Sequence, residues 1–168
     1  MYCLEFAGEA ADEPVAALEA ERAAASAVER VAPGVGTARG LRVDRAPTLA
    51  YTRRASELLA RTAADVGSAV AALEAASIDR AGSVAVRARN VRSTADASTA
   101  AAERELGSVL VDRGFAVDLD DPDHELRAVF AGDVCLLGWQ VAERAAAVGS
   151  RAPTARPFFQ PGGRAPVD

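Results

Sequence analysis

The chain has 168 residues and a formal net charge of −5, and half of its residues are hydrophobic. That length allows one ordinary domain or two small ones, and the apolar half allows a core, although much of it is alanine and aromatics are few. No stretch approaches the ~20 apolar residues that span a bilayer, and Met1-Tyr-Cys-Leu-Glu-Phe6 lacks the basic start and apolar run of a signal peptide, so a cytoplasmic protein with no membrane partner is expected.

In chain order, Tyr2 to Phe6 reads as a short strand. Pro14 to Ala25 reads as a helix with Asp12 as cap and Pro14 in its first turn, Val15, Leu18 and Arg22 marking its faces. Ala27 to Ala32 and Val35 to Leu41 read as strands joined by the turn pair Pro33-Gly34. Asp44 to Tyr51 fits a short helix and Arg54 to Arg61 a strand. That order, strand-helix-strand-strand-helix-strand, is the ferredoxin-like pattern.

A second unit starts at Thr62. Asp65 to Ser77 places Val66, Val70, Leu73 and Ala76 on one helical stripe. Ser83 to Ala88 is a strand. Asp96 to Arg113 is the strongest helix, with Leu106, Val109 and Leu110 toward the core, Ser93-Thr-Ala-Asp96 as a capping-box-like start and Gly114 at its end. Ala116 to Leu119, Leu126 to Phe130 and Val134 to Trp139 follow as strands, the last two joined by Ala131-Gly132-Asp133. The expected class is therefore α+β: a ferredoxin-like unit over 1–61, an α/β unit over 62–148, and a Pro-rich linker over 149–168.

Cys3 and Cys135 are expected to be buried free thiols, since neither has a CxxC partner and the single His124 completes no Cys/His metal site. All 19 basic residues are arginine. With abundant alanine, glycine, aspartate and valine and an acidic excess, this suggests a GC-rich, halophilic source, where screening over about 3 Å or less lets an acidic protein still bind RNA through a local arginine patch.

Four ordered motifs carry a resemblance. Ser83-Val-Ala-Val-Arg-Ala-Arg89, Ala102-Glu-Arg-Glu-Leu-Gly107, Val117-Asp-Leu-Asp-Asp-Pro-Asp123 and Leu137-Gly-Trp-Gln140 together resemble a THUMP domain, an RNA-binding module of tRNA-modifying enzymes. The first unit resembles the small ferredoxin-like domain that precedes THUMP. The tail, with Pro157-Phe-Phe-Gln-Pro-Gly162, resembles the entry to a Rossmann-like methyltransferase domain. The chain as a whole resembles the N-terminal half of an archaeal, haloarchaeal tRNA (guanine-10, N2) dimethyltransferase, and the resemblance implies truncation before the catalytic domain. It implies tRNA as partner, gripped at its 3′ acceptor end, with a methyltransferase domain or subunit beside it. S-adenosylmethionine is implied for the missing domain only, because the chain has no Gly-rich loop after a strand and no Asp-Pro-Pro-Tyr or Asn-Pro-Pro-Tyr motif. The chain alone is expected to bind and not to catalyse, with no catalytic residue and no cofactor of its own; a stand-alone adaptor recruiting a separate enzyme and an inactive truncated product are the alternatives.

The candidate RNA-binding residues are Arg87, Arg89 and Arg92 with the hydroxyls of Ser93 and Thr94, in a stretch without acidic residues. Guanidinium forks bind phosphates bidentately; the bland alternative is a solvated arginine edge paired with local glutamates. Arg53 and Arg54 widen the patch or form a salt bridge with Glu57. The run Asp118, Asp120, Asp121, Asp123 and Glu125 lacks the spacing of a calcium loop and reads as a capped turn, not a metal site. His124 reads as a surface turn histidine, Pro33-Gly-Val-Gly36 as a turn without the context of a phosphate loop, and Trp139 as core. Phe158-Phe159 is expected to pack on a further domain or, exposed, to promote association.

Overall fold

The computed structural model describes residues 1–145. The expected linker over 149–168, with Phe158 and Phe159, lies outside the described residues, as do 146–148 of the expected second unit.

The elements follow the alternation of the sequence. Five strands and helices build the first half: β1 (Tyr2–Phe6), α1 (Glu13–Ala23), β2 (Ala27–Ala32), β3 (Val35–Arg39) and the start of β4 (Thr52–Ala63). The second half adds α2 (Val66–Ala75), β5 (Ser83–Asn90), α3 (Thr99–Asp112), β6 (Ala116–Val117), β7 (His124–Ala131) and β8 (Val134–Glu143). The fold is α+β, and the eight strands of the described residues form one sheet of order β2-β3-β1-β4-β8-β7-β5-β6.

The first four strands keep the ferredoxin-like order, with β3 and β4 both antiparallel to β1. Its expected second helix is only a 3-10 turn, Ala46–Thr48, which ends where Leu49 turns extended, with ψ of 128°, and Ala46 and Leu49 are buried in the core of the first half. In the second half β5 runs parallel to both β6 and β7, and β7 and β8 form an antiparallel hairpin.

β4 and β8 pair over nearly their whole length, from Arg54 opposite Glu143 to Ala63 opposite Val134. This long ribbon carries both halves. Its register shifts between Ala55 and Ser56 and between Leu58 and Ala60, irregularities that sharpen local twist. Gly138 sits in this stretch of β8, where a Cβ would stand 2.7 Å from the Glu57 carbonyl oxygen. Only a residue without a side chain lets the two backbones come that close.

Two cores flank the sheet. Leu73, Leu106, Leu110, Leu126, Phe130 and Trp139 dominate the one under α2 and α3. The first half packs Leu4, Phe6, Leu41 and Leu49 among alanines. There α1 buries Ala16 and Ala20, while Val15 and Leu18 stand half exposed; small side chains let the helix lie close to the sheet. A third apolar cluster, Cys3, Val35, Val91, Val129, Ala131 and Leu136, joins residues of both halves.

Helix α3 begins later than its sequence suggests. Its cap is Ser98, whose hydroxyl accepts from Ala101 N at 3.2 Å, not the Ser93–Asp96 box. The Asn90 side chain takes the preceding loop instead, donating to Ala95 O and accepting from Ala95 N. At the other end Gly114, with φ of +96°, closes α3 as expected.

Candidate nucleic-acid interface

Of the arginines singled out in the sequence, Arg53, Arg54, Arg89 and Arg92 lie along the seam between the two halves, and Arg87 lies at the far edge of β5. Glu5 of β1 is buried to 1 % exposure. It accepts from Arg127 Nε at 2.9 Å and Nη2 at 2.8 Å, a bidentate pair, and from Arg89 Nη1 at 3.1 Å. One carboxylate of the first half thus holds two guanidiniums of the second. Burial lowers the Arg127 pKa, but the hydrogen bonds and charge of Glu5, with Glu125 beside it, outweigh this and hold it above the ordinary arginine value. Gly138 lies opposite Arg127 in the register and adds no side chain on that face.

A second ion cluster lies at the edge of the seam. Glu13, at the start of α1, is buried; it accepts from Gly34 N at 2.7 Å, from Arg92 Nη1, and from Arg30 Nη2 at 3.3 Å. Arg92 Nη2 also reaches Gly8 O. Arg92 and Ser93 both have positive φ, 51° and 54°, an uncommon conformation for residues with a side chain. Ser93 is exposed. The Thr94 hydroxyl donates to Val91 O and accepts from Gly132 N, tying this loop to the β7–β8 turn.

Arg87 donates to Leu119 O at 2.7 Å. Arg54 pairs with Glu143 at 2.8 Å, not with Glu57, whose partner is Arg80; its Nε is buried without a hydrogen-bond partner. Arg53 is exposed. Partial burial, then the guanidiniums of Arg89, Arg54 and Arg144, push its pKa below the ordinary arginine value. Four arginines from β4, β5 and the end of β8 therefore crowd one side of the seam. Of the seven predicted residues, the structure brings Arg53, Arg54 and Arg89 together here, sets Arg92, Ser93 and Thr94 in the neighbouring loop, and leaves Arg87 by Leu119.

Sequence reading did not single out Arg30, Arg127 or Arg144. Arg127 alternates with Leu126 and Ala128 in an apolar strand, and a charge at an inward position was the available signal. Arg144 and Arg30 carried none.

The other candidates resolve as structural parts. Asp118 Oδ1 accepts from the backbone of Asp120 and Asp121, and Asp123 Oδ2 from Ser83 N. His124 is not a turn residue: it opens β7, with Nε2 3.1 Å from Ala81 O and its ring edge-on to Trp139. Trp139 is buried, stacked on Phe115 with the Arg80 guanidinium over its ring. Both cysteines are buried free thiols, and burial first of all raises both pKa values, that of Cys135 to about 12. Among the described residues no group of three His, Cys, Asp or Glu side chains could hold a metal, and no helix is long and apolar enough to cross a membrane. Gly34 lies in the β2–β3 turn and Gly36 in β3 itself.

No protein-family model and no curated protein sequence matches the chain. Solved structures do match it in fold. TrmN from Thermus thermophilus superposes with a TM-score of 0.63 at 24 % identity, over 86 % of this chain and 46 % of its own. A predicted N6-adenine-specific DNA methylase from Listeria monocytogenes gives a TM-score of 0.56 at 14 % identity, over 83 % of this chain and 40 % of its own. A 4-thiouridine synthetase in complex with RNA and ATP gives 0.50 at 14 % identity, over 85 % and 41 %. The chain thus spans less than half the length of these three proteins.

Proposed function

We propose that the chain is a tRNA-binding module of the THUMP kind that positions a tRNA for modification. The observation that carries this reading is the grouping of arginines at the seam: Arg53 and Arg54 are adjacent in β4, Arg144 N donates to Arg53 O at 2.8 Å, and burial first, then the guanidiniums of Arg89, Arg54 and Arg144, hold the Arg53 pKa below the ordinary value. Such crowding is unfavourable alone and is relieved by a phosphate backbone. The fold likeness to a synthetase solved with RNA supports it. In the finer form of the proposal, Arg87, Arg89, Arg92, Ser93, Thr94, Arg53 and Arg54 face the RNA, the bound feature is the single-stranded 3′ acceptor end, and the modification is N2-methylation of a guanine by an S-adenosylmethionine-dependent domain or subunit. No chemical step is assigned to the residues described here.

The test is binding of intact tRNA and of tRNA trimmed of its 3′-terminal nucleotides, in molar potassium chloride. Binding lost on trimming supports an acceptor-end reader. Equal binding removes the acceptor end from the proposal, and no binding to either removes RNA from it.

A further inference from the structure

A cleft of about 580 Å³ opens where α1, the β2–β3 turn and the β5–α3 loop meet, lined by Glu13, Arg30, Arg92 and the run Val31-Ala32-Pro33. That volume falls in the range of small-ligand sites. Its chemistry is uneven in a useful way. A single buried carboxylate, Glu13, faces two guanidiniums, leaving one positive charge in surplus. Each guanidinium carries five N–H donors. Arg30 spends one on Glu13 at 3.3 Å, and Arg92 spends one on Glu13 and one on Gly8 O. Arg30 keeps 47 % and Arg92 30 % of its side chain exposed.

Glu13 therefore acts as a fixed post that orients both arginines before any ligand arrives, which lowers the ordering cost of binding. The backbone contributes as well. Arg92 and Ser93 are both held in the left-handed region, and strain of this kind gathers at ligand clamps. The apolar run beside the charges has no use for a bare anion but suits the sugar of a nucleotide.

We propose that this cleft holds one backbone phosphate of a single-stranded RNA on Arg30 and Arg92, with the ribose of that nucleotide against Val31-Ala32-Pro33. It rests on the RNA reading above and adds to it a contact from the outer strand β2, so that the RNA crosses the seam and touches both halves of the sheet.

The experiment measures binding of a fluorescent single-stranded oligoribonucleotide and of tRNA to the full 168-residue chain as salt is varied. The variants are Arg30→Ala and Arg92→Asn, asparagine being chosen because it tolerates positive φ. Arg53→Ala probes the seam, and Arg104→Ala, an exposed arginine on α3, controls for net charge. Circular dichroism and the thermal midpoint establish that each variant is folded. Losing one phosphate contact should lower the slope of log K against log salt by about 0.7 for single-stranded RNA. Arg30→Ala and Arg92→Asn are expected to show that loss with several-fold weaker binding, and Arg104→Ala not. Unchanged slopes for both cleft variants, with Arg53→Ala weakened, overturn the cleft and leave the RNA reading standing. No RNA binding by the unaltered chain overturns both. Inorganic phosphate and cytidine monophosphate serve as competitors: Arg30-dependent phosphate binding that leaves RNA affinity untouched assigns the cleft to a free anion and overturns the proposal.

Discussion

The Glu5 cluster and the arginine rim beside it use the same residue type to opposite ends. At Glu5, two guanidiniums close on one carboxylate that is 1 % exposed. At the rim, Arg53 sits exposed among Arg54, Arg89 and Arg144, with Glu143 holding only Arg54. In the interior a charge is tolerated only when its partners surround it, so position dictates pairing; at the rim each guanidinium keeps N–H groups facing water, which remain available to a ligand. Arg89 belongs to both, with one N–H on Glu5 and a quarter of its side chain exposed. The lesson is that an arginine's distance from the nearest acidic residue in sequence says little about whether it is free.

The largest break in this comparison is Glu5→Ala. It takes from Arg127, 5 % exposed, its bidentate partner and leaves only Glu125 at 3.7 Å, and should cost about 3 kcal/mol, read as a lower urea midpoint with both halves loosened. Replacing Glu5 and Arg127 together by Leu and Met should recover most of that loss, because the buried charge is removed and not merely unpaired. A pair as damaging as the single variant would mean that the ion cluster is essential to the fold.

Gly138→Ala comes next. Its Cβ would meet the Glu57 carbonyl oxygen and, at 2.9 Å, Ser56 Cβ, so the β4–β8 ribbon must part; overpacking of this kind costs about 1–3 kcal/mol. Thiol labelling reports whether the seam opens with it. Cys3 lies in the apolar cluster of the seam and burial raises its pKa, so it should stay unreactive in the parent protein and label faster in the Gly138 and Glu5 variants. Equal rates in all three would place the damage elsewhere.

Arg53→Ala, at the rim, should move stability by less than about 0.5 kcal/mol while weakening tRNA binding and reducing its salt dependence. A stability loss near that of Glu5→Ala would make the rim structural and end the contrast.

The smallest expected effect is in acid. Asp65 and Asp123 accept from the Ser68 and Ser83 backbones, and these bonds hold both carboxyls below the usual aspartate value of 3.8. A depressed native pKa means that the unfolded chain binds the proton first as pH falls. The stability these groups add is thus complete above the ordinary aspartate range and is lost on going down through the lower native values. Asp65→Asn and Asp123→Asn should flatten the acid limb of a stability profile below about pH 4 and leave neutral-pH tRNA binding unchanged. An unaltered acid limb would assign acid unfolding to other carboxyls.

Much of the fold was legible because local pattern and tertiary demand agree. The apolar run of β1, the Pro33-Gly34 turn between β2 and β3, the stripe of Leu106, Val109 and Leu110, and the glycines at 114 and 132 each specify their element within a few residues. Where they disagree, the tertiary structure wins. The Ser93-Thr-Ala-Asp96 box is a sound cap by itself, but Asn90 and Thr94 hold that loop to Ala95 and Gly132, and the helix waits for Ser98. Val15 and Leu18 are the large apolar residues of α1, yet alanines make its contact face. The arginine patch was legible as composition, not as roles. Arg89 and Arg92 find carboxylates 84 and 79 residues away, and nothing near them in sequence announces those partners.

The sequence by itself determined most of the elements and their order along the chain, because periods of two and 3.6 residues and turn chemistry act within a dozen positions. Only the tertiary structure decided which arginines are bound and which are free. The sheet brings Glu5 against Arg127, 122 residues on, and the desolvation of that one carboxylate sets how its neighbours are spent.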